Sequence, residues 1–164
     1  MLVEGAPLRY KRGSDVKPQE PQEVKTHMSA HSNLKAAYLS TVFEWSGDLP
    51  SDFIIITACN PHGRSAPPSR NAHQNETLRA VLAARGLTPI PVLGRSPSGD
   101  HQEPSWAVLM SEAEALPIAR LFKQDAIYSV RAGELLLLST RASDPITSLG
   151  PWGARRAPTQ SEPT

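Results

Sequence analysis

The fold of this chain is decided by the stretch Phe53-Ile54-Ile55-Ile56-Thr57-Ala58. Its residues are apolar at consecutive positions and mostly β-branched, a pattern typical of a strand that is buried on both faces. Such a strand lies in the interior of a sheet that has a packed layer on either side. The stretch therefore predicts a central strand, and the elements around it follow from their own patterns.

Downstream of the central strand, the chain predicts a loop, a helix and a second strand. The loop covers residues 59–70, and the helix begins with Asn71 as its N-cap and ends before Gly86, a typical C′ residue. The second strand covers residues 88–93 and contains two prolines. Because proline has no N–H to donate to a neighbouring strand, we expect this strand at an edge of the sheet.

Two more strands and a second helix follow before the last strand of the domain. Residues 105–110 are apolar on both faces and predict a third strand, again in the interior of the sheet. Ser111 opens a helix with the capping-box pattern, and Pro117 lies deep enough in it to predict a kink or a later start. Residues 126–140 contain two strands joined by a glycine-containing turn, which predicts a hairpin.

The order strand, helix, strand, strand, helix, strand predicts an α+β domain with the split β-α-β arrangement of ferredoxin-like folds. In that arrangement the first and third strands are central and the second lies at an edge. Residues 135–140 add an extra C-terminal strand. A helix over residues 33–43 precedes the central strand and can cover the second face of the sheet, although residues 42–45 can instead begin a strand.

Proline is the most unusual component of the sequence, with 16 prolines in 164 residues, about twice the usual share. Residues 1–30 and 143–164 hold prolines among polar residues and carry too little apolar surface to fold by themselves. Trp152 is the exception and can anchor the start of the second segment. We therefore expect a disordered tail, a single α+β domain over residues 31–142 and a proline-rich tail.

Charge and cysteine content narrow the class of protein. The 17 Lys and Arg residues balance 16 Asp and Glu residues, which gives no bulk signal for nucleic acid or a membrane surface. Cys59 is the only cysteine, which excludes an intramolecular disulfide and a cysteine zinc cluster. The first residues lack the apolar stretch of a signal peptide, and no apolar run has the length of a membrane span. We expect a cytoplasmic protein.

Three connections meet at one end of the predicted sheet. They are the loop after the first strand, the connection over residues 94–104 and the link after the second helix. The first two are longer than such connections usually are, which is typical of a binding site on a rigid scaffold. Glu103 is the candidate catalytic residue at this end. The candidate ligand-binding residues are Asn60, Arg64, Arg70, Asn71, His101, Ser105 and Gln124.

These residues allow several kinds of chemistry. The N-terminus of the first predicted helix, with the two arginines, suits an anion, unless Asn71 only caps the helix and the arginines are solvated. Glu103 precedes a rigid strand and can act as an acid or base or bind an amine, or it can tie down loop backbone. Cys59 and His62 are spaced as a nucleophile and base can be, but such a cysteine is usually a core residue. No metal-site spacing is present, and no cofactor is identified.

A series of residues in consistent order runs through the predicted domain: Leu34, Ala37-Tyr38, Ile56-Thr57-Ala58, Asn60-Pro61, Asn71, Gly94, Glu103-Pro104-Ser105, Phe122, Gln124 and Ala126. In these residues the chain resembles the bacterial domain-of-unknown-function family 3293, over residues 34–140. It departs from the family at Pro117 and at Lys123, where the resemblance implies a small residue, often glycine. Since the family has no established activity, the resemblance implies a domain and a set of marked polar positions: Asn60, Asn71, Glu103, Ser105 and Gln124.

The sequence therefore predicts an uncharacterised domain that binds a small anionic ligand or nucleotide at the loop edge of the sheet. One alternative is an enzyme that uses Glu103 as acid or base, with Asn60 and Gln124 orienting the substrate. Another is a protein or nucleic-acid interaction module on an uncovered sheet face. No membrane partner is expected, no strong nucleic-acid signal is present, and the sequence does not determine the oligomeric state or whether the protein is an enzyme.

Overall fold

The computed structural model describes residues 36–157, which contain three α-helices, two short 3-10 helices (Pro61–Gly63 and Trp152–Arg155) and seven strands. The α-helices are α1, described over residues 36–40, α2 (Pro68–Ala84) and α3 (Glu112–Leu121). None of the helices in this range is long and apolar enough to cross a membrane. The strands are β1 (Val42–Glu44), β2 (Phe53–Ile56), β3 (Ile90–Arg95), β4 (Gln102–Val108), β5 (Ala126–Arg131), β6 (Glu134–Ser139) and β7 (Thr147–Pro151).

All seven strands form one antiparallel sheet in the order β1-β3-β4-β2-β5-β6-β7. The predicted α+β class is confirmed. β2 lies between β4 and β5, with Ile55 opposite Ala107 on one side and Tyr128 on the other. β4 lies between β3 and β2, so both strands that are apolar on two faces are interior strands, as their patterns predict.

Strand β3 has a neighbour on both sides, so the prediction that it is an edge strand is wrong. β1 pairs with its second half, with Val42 opposite Arg95 and Phe43 opposite Gly94. The first half, which contains Pro91, has only β4 beside it within the described chain. The reason is local, because a proline prevents pairing only where its missing N–H would meet the neighbouring strand.

The connection between β3 and β4 is shorter than the sequence predicts. Pairing continues as far as Arg95 opposite Gln102, so only residues 96–101 connect the two strands. The predicted loop begins at Gly94 and ends at Pro104, but the sheet pairs the backbone of both its ends, with Gly94 opposite Glu103. Glu103 consequently lies within a strand and not in a loop.

One face of the sheet is covered by helices α2 and α3. Successive side chains of β2 point to opposite sides of the sheet, and Ile54 and Ile56 share this face. They pack in a core with Leu78 and Leu82 of α2 and Ile118 of α3. This layer accounts for one of the two apolar faces of β2.

The opposite face carries a second core, which contains Phe53 and Ile55 of β2 together with Tyr128 of β5. Tyr38 of α1 packs against this core, so the N-terminal helix helps to cover the second face as the sequence predicts. Trp152, from the C-terminal end of the described chain, covers another part of it. Both faces of the central strand are therefore buried by different parts of the chain.

Helix α2 begins at Pro68, with Pro67 as its N-cap, and not after an N-cap at Asn71. Proline suits the first helical position because its fixed φ is helical and its absent N–H would have no partner there. Asn71 consequently lies in the first turn, where its side chain has other partners described below. After the helix, Gly86 has φ +77, so the predicted C′ glycine is confirmed.

The boundaries of the other two helices also test the sequence patterns. α1 ends at residue 40 and β1 begins at Val42, so the strand alternative for this segment is the one adopted. The predicted start of this helix and the predicted tail over residues 1–30 lie outside the described residues. The capping box of Ser111 and Glu114 is confirmed, and α3 runs from Glu112 through Pro117, so its expected later start is wrong.

Residues 147–157 pack against the folded domain, so the tail predicted from residue 143 is wrong for this segment. β7 pairs with β6, and Trp152 stacks on Trp45 with ring centroids 4.8 Å apart. The backbone N–H of Ala157 then donates to Phe43 O at 2.8 Å. Burial of aromatic surface by Trp152 offsets the entropy lost on ordering the segment.

Lys123 follows α3 in the left-handed conformation, with φ +57. Its N–H donates to Arg120 O, and the N–H of Gln124 donates to Ala119 O, which together form a Schellman C-cap. Glycine adopts this conformation without steric cost, and this is the position where the resemblance implies a small residue, often glycine. The lysine therefore holds backbone strain of about 1 kcal/mol.

We expect Lys123→Gly to raise the free energy of unfolding by about 1 kcal/mol, because it relieves this strain. Urea denaturation measures the change. The matched control is Gly86→Ala, where an added Cβ meets no atom within 4 Å and only the backbone conformation opposes it. That control should lose about 1 kcal/mol, whereas a loss of stability in Lys123→Gly would contradict the strain argument.

We expect Trp152→Ala to lower the free energy of unfolding by about 3 kcal/mol, because it removes the large ring that covers the second core. Thermal and urea denaturation measure the loss. Ile146→Ala is the control, since this nearby side chain is 53% exposed and should change stability by less than about 0.5 kcal/mol. If Trp152→Ala were as stable as Ile146→Ala, the segment would not be packed on the core, and the predicted tail from residue 143 would stand.

Candidate functional site

A cavity of about 350 Å³ opens at one end of the sheet. Its wall comes from α1, the end of β2 with the loop that follows, the β3–β4 hairpin and the start of β5. These include the three connections that the predicted topology brings to one end of the sheet. The candidate residues that line the cavity are Asn60, His101, Glu103, Ser105 and Gln124.

The side chain of Asn60 joins three parts of this site. Its Nδ2 donates to Glu103 Oε1 at 2.7 Å. Its Oδ1 accepts from Asn71 Nδ2 at 2.9 Å and from the backbone N–H of Ala66 at 3.1 Å. Its own backbone N–H donates to Asn71 Oδ1 at 2.9 Å. Asn71 therefore belongs to the site as a support for Asn60, although it does not line the cavity.

Glu103 presents a half-buried carboxylate to the cavity, with 26% of its side chain exposed. Oε1 accepts from Asn60 and lies 3.2 Å from His101 Nε2. Within residues 36–157, Oε2 has no hydrogen-bond partner. The carboxylate is thus held through one oxygen and open at the other, and it does not merely cap backbone amides.

Gln124 and Ser105 are buried in the cavity wall, and their polar groups bind the protein itself. Gln124 Nε2 donates to Cys59 O at 2.9 Å and to Phe122 O at 3.2 Å. Ser105 Oγ donates to Glu103 O at 3.2 Å. The amide nitrogen of Gln124 is therefore occupied, and its carbonyl oxygen is the group that remains to meet a ligand.

Arg64 and Arg70 do not line the cavity, and both side chains are exposed. The N-terminus of α2 begins with Pro67 and Pro68, which have no N–H to offer an anion. The two arginines are not brought together with the cavity residues. Because the helix starts earlier than predicted and its N-cap and first position are prolines, its first N–H donors are those of Ser69 and Arg70. An anion site at this helix end stays a prediction.

Three residues beside the cavity adopt left-handed backbone without being glycine: Asn60 (φ +49), His62 (φ +54) and Lys123. His62 N–H donates to Lys123 O at 2.7 Å, so two of these residues hold each other. Strained backbone persists only where surrounding bonds determine it strongly, and it is common at binding sites. The loop after β2 is therefore built to a defined shape.

The sequence patterns missed the aromatic wall of the cavity. Tyr38 and Tyr128 line it, and the Tyr128 ring packs edge-to-face against Tyr38 at 6.2 Å and against Phe43 at 5.1 Å between centroids. The Tyr128 hydroxyl donates to Tyr38 O at 3.0 Å. In the sequence, the apolar pattern at these positions predicts core residues. The residue type could have indicated the cavity, because a buried tyrosine hydroxyl needs a hydrogen-bond partner that a purely apolar core does not supply.

Arg95 also lines the cavity and was missed because its segment predicts a loop. Only 6% of its side chain is exposed, and its Nε lies 2.6 Å from Glu44 Oε1 on the adjacent strand β1. The two charges compensate each other. Among the described residues of the wall, the carboxylate of Glu103 is therefore the accessible permanent charge.

Cys59 and His62 do not form a nucleophile and base. Burial raises the pKa of the Cys59 thiol, and the negative charge of Glu103 acts in the same direction, so the nucleophilic thiolate is disfavoured. His62 Nδ1 lies 3.5 Å from Asp125 Oδ1 instead. Within the described part of the chain, no three His, Cys, Asp or Glu side chains are grouped to hold a metal ion.

Burial raises the pKa of Tyr38 from 10.0 to about 12, and the carboxylates of Glu103 and Asp125 add to the rise. Folding therefore favours the neutral phenol. The contribution of this shifted pKa to stability is complete below pH 10 and is lost as the pH rises through about 12.

We expect this late ionisation of Tyr38 in the ultraviolet difference absorbance between the wild type and Tyr38→Phe. The same titration in urea should return to the ordinary range, and an ordinary midpoint in the folded protein would contradict the buried position.

Comparisons with known proteins agree with the resemblance and add no activity. Neither the curated proteins nor the solved structures contain a match to the chain. One family model matches, and its description is protein of unknown function (DUF3293), over residues 56–127, which is less than half of the chain. The matched region contains α2, β3, β4 and α3 together with the last residue of β2, and with them every candidate site residue. Over residues 56–127 the chain therefore resembles this family of unknown function, as the sequence predicts.

Proposed function

We propose that this domain binds a small molecule in the cavity at the end of the sheet. The observation that carries the proposal is the carboxylate of Glu103, held by Asn60 at 2.7 Å and open to a cavity of about 350 Å³. Small-molecule pockets have volumes of about 300–1,000 Å³ and combine an apolar wall with a few placed polar groups. This cavity fits the small end of that range.

The site is organised before a ligand arrives, which supports binding as its role. Asn60 is held by Asn71, which is anchored in the first turn of α2. Glu103 is carried by β4, where it pairs with Gly94 of β3, and the backbone oxygen of the next residue accepts a hydrogen bond from Thr57 Oγ1 at 2.8 Å. Groups held in this way lose little freedom when a ligand binds, so more of the interaction energy appears as affinity.

An anionic ligand or nucleotide stays a prediction, and the geometry does not favour it. The arginines that motivated it, Arg64 and Arg70, are not among the lining residues. The accessible charge in the wall is negative, which repels an anion. Nucleotides therefore belong in the screen described below as the class that is expected to fail.

Acid–base catalysis by Glu103 is the second candidate function. The observation in its favour is that one carboxylate oxygen has both Asn60 Nδ2 and His101 Nε2 within 3.2 Å while the other is open. A fixed carboxylate beside an imidazole suits proton transfer to a bound substrate. Gln124 would then orient the substrate through its carbonyl oxygen. Turnover of a cavity ligand, lost in Glu103→Gln, would favour this enzyme over a binding domain.

The interaction module has less support than either small-molecule function. It requires exposed aromatic rings on an open sheet face. The aromatic residues of the second face, including Phe43 and Phe53, are buried beneath Trp152 and its neighbours. We also propose the ferredoxin-like relation for the strands β3-β4-β2-β5, whose order supports it, and a cytoplasmic location.

We expect a fragment library that includes nucleotides to give hits in ligand-observed NMR, and Ala37→Trp to abolish them. Ala37 is an exposed residue of α1 that lines the cavity, so a tryptophan there fills the opening without disturbing a core. The control is Ala36→Trp, an exposed neighbour on the same helix that does not line the cavity. It should keep the hits.

Two results would overturn cavity binding. One is a complete absence of hits with folded protein. The other is a set of hits that bind Ala37→Trp and Ala36→Trp equally, because such ligands occupy another surface. Circular dichroism establishes that both variants keep the fold.

A further inference from the structure

We infer that the ligand of the cavity is an organic cation, a protonated primary amine on a compact apolar body. This inference rests on the proposed small-molecule binding and specifies its chemical class. Three independent properties of the cavity lead to it: the balance of charge in the wall, the type of hydrogen-bonding group left open, and the aromatic rings.

The charge balance of the wall is the first property. Arg95 is buried and paired with Glu44 at 2.6 Å, so it contributes little net field to the cavity. Glu103 has the neutral amide of Asn60 as its closest partner. His101 lies 3.2 Å away with 60% of its side chain exposed to solvent. A cation in the cavity therefore meets a carboxylate that no permanent positive charge of the described wall compensates.

The open hydrogen-bonding groups are the second property. Glu103 Oε2 has no partner within residues 36–157, and Gln124 has committed its Nε2 to Cys59 O and Phe122 O. Glu103 and Gln124 thus present oxygen atoms as acceptors. An ammonium group supplies three N–H donors and no acceptor, so it satisfies both side chains, whereas a carboxylate or phosphate would leave their oxygens unpaired.

The aromatic rings are the third property. Tyr38 and Tyr128 line the same cavity as Glu103, and the face of an aromatic ring attracts a cation. Ile55 and Ala126 provide apolar surface beside them. A compact apolar body packs against this surface while its ammonium group reaches Glu103.

The test compares three ligands with the same ring and different charge: benzylamine, benzyl alcohol and benzoate. We expect isothermal titration calorimetry to show benzylamine binding about tenfold more tightly than benzyl alcohol, with benzoate weakest. Glu103→Gln should weaken benzylamine about tenfold and leave benzyl alcohol unchanged. Glu76→Gln is the matched control, because Glu76 is exposed on α2 and pairs with Arg79. It should bind all three ligands as the wild type does.

The wild-type comparison alone decides the inference if Glu103→Gln fails to fold. Benzoate or benzyl alcohol binding as tightly as benzylamine would overturn the cationic class while leaving cavity binding intact. Benzylamine binding that is unchanged in folded Glu103→Gln, or no binding by any of the three, would also overturn it. The fragment screen with Ala37→Trp separately decides whether the cavity binds small molecules at all.

Discussion

Burial of β2 on both faces is the constraint on which the rest of the structure depends. Ile54 and Ile56 require one apolar layer, and Phe53 and Ile55 require another on the opposite side. Helices α2 and α3 supply the first layer. The second is assembled from the outer parts of the chain, and Tyr38 brings α1 onto it. The cavity exists because α1, placed there to cover the sheet, reaches the end where the strands carry polar residues.

Asn60 connects the packed elements around the cavity and positions the acidic group of the site. It lies in the loop after β2 and adopts the left-handed conformation that asparagine tolerates better than most residues. From there its amide reaches Glu103 on β4 and Asn71 on α2, elements far apart in sequence. The acidic group is therefore positioned by the same strand that organises the core, and stability and site geometry share one origin.

The features that local sequence decides were predictable, and those that depend on a distant partner were not. The interior strands and the capping box of α3 follow from neighbouring residues, and topology then brought Asn60, Glu103 and Gln124 to one cavity. The residues around Arg95 predict a loop, and no local pattern indicates that Arg95 pairs with Glu44 of β1. Trp152 likewise orders its segment only through a core built elsewhere. The start of α2 is different, because the two prolines were a local signal that outweighs an asparagine N-cap.

The C-terminal segment also bears on the order in which the protein folds. β7 lies at one edge of the sheet and β1 at the other, and the chain after β7 passes over the second core to reach β1. There Arg155 donates to Leu39 O, a contact between residues 116 positions apart. Contacts of such separation form slowly, because a long loop must close first. The segment packs on Phe43, a residue of the cavity wall, so we expect this part of the wall to form late in folding.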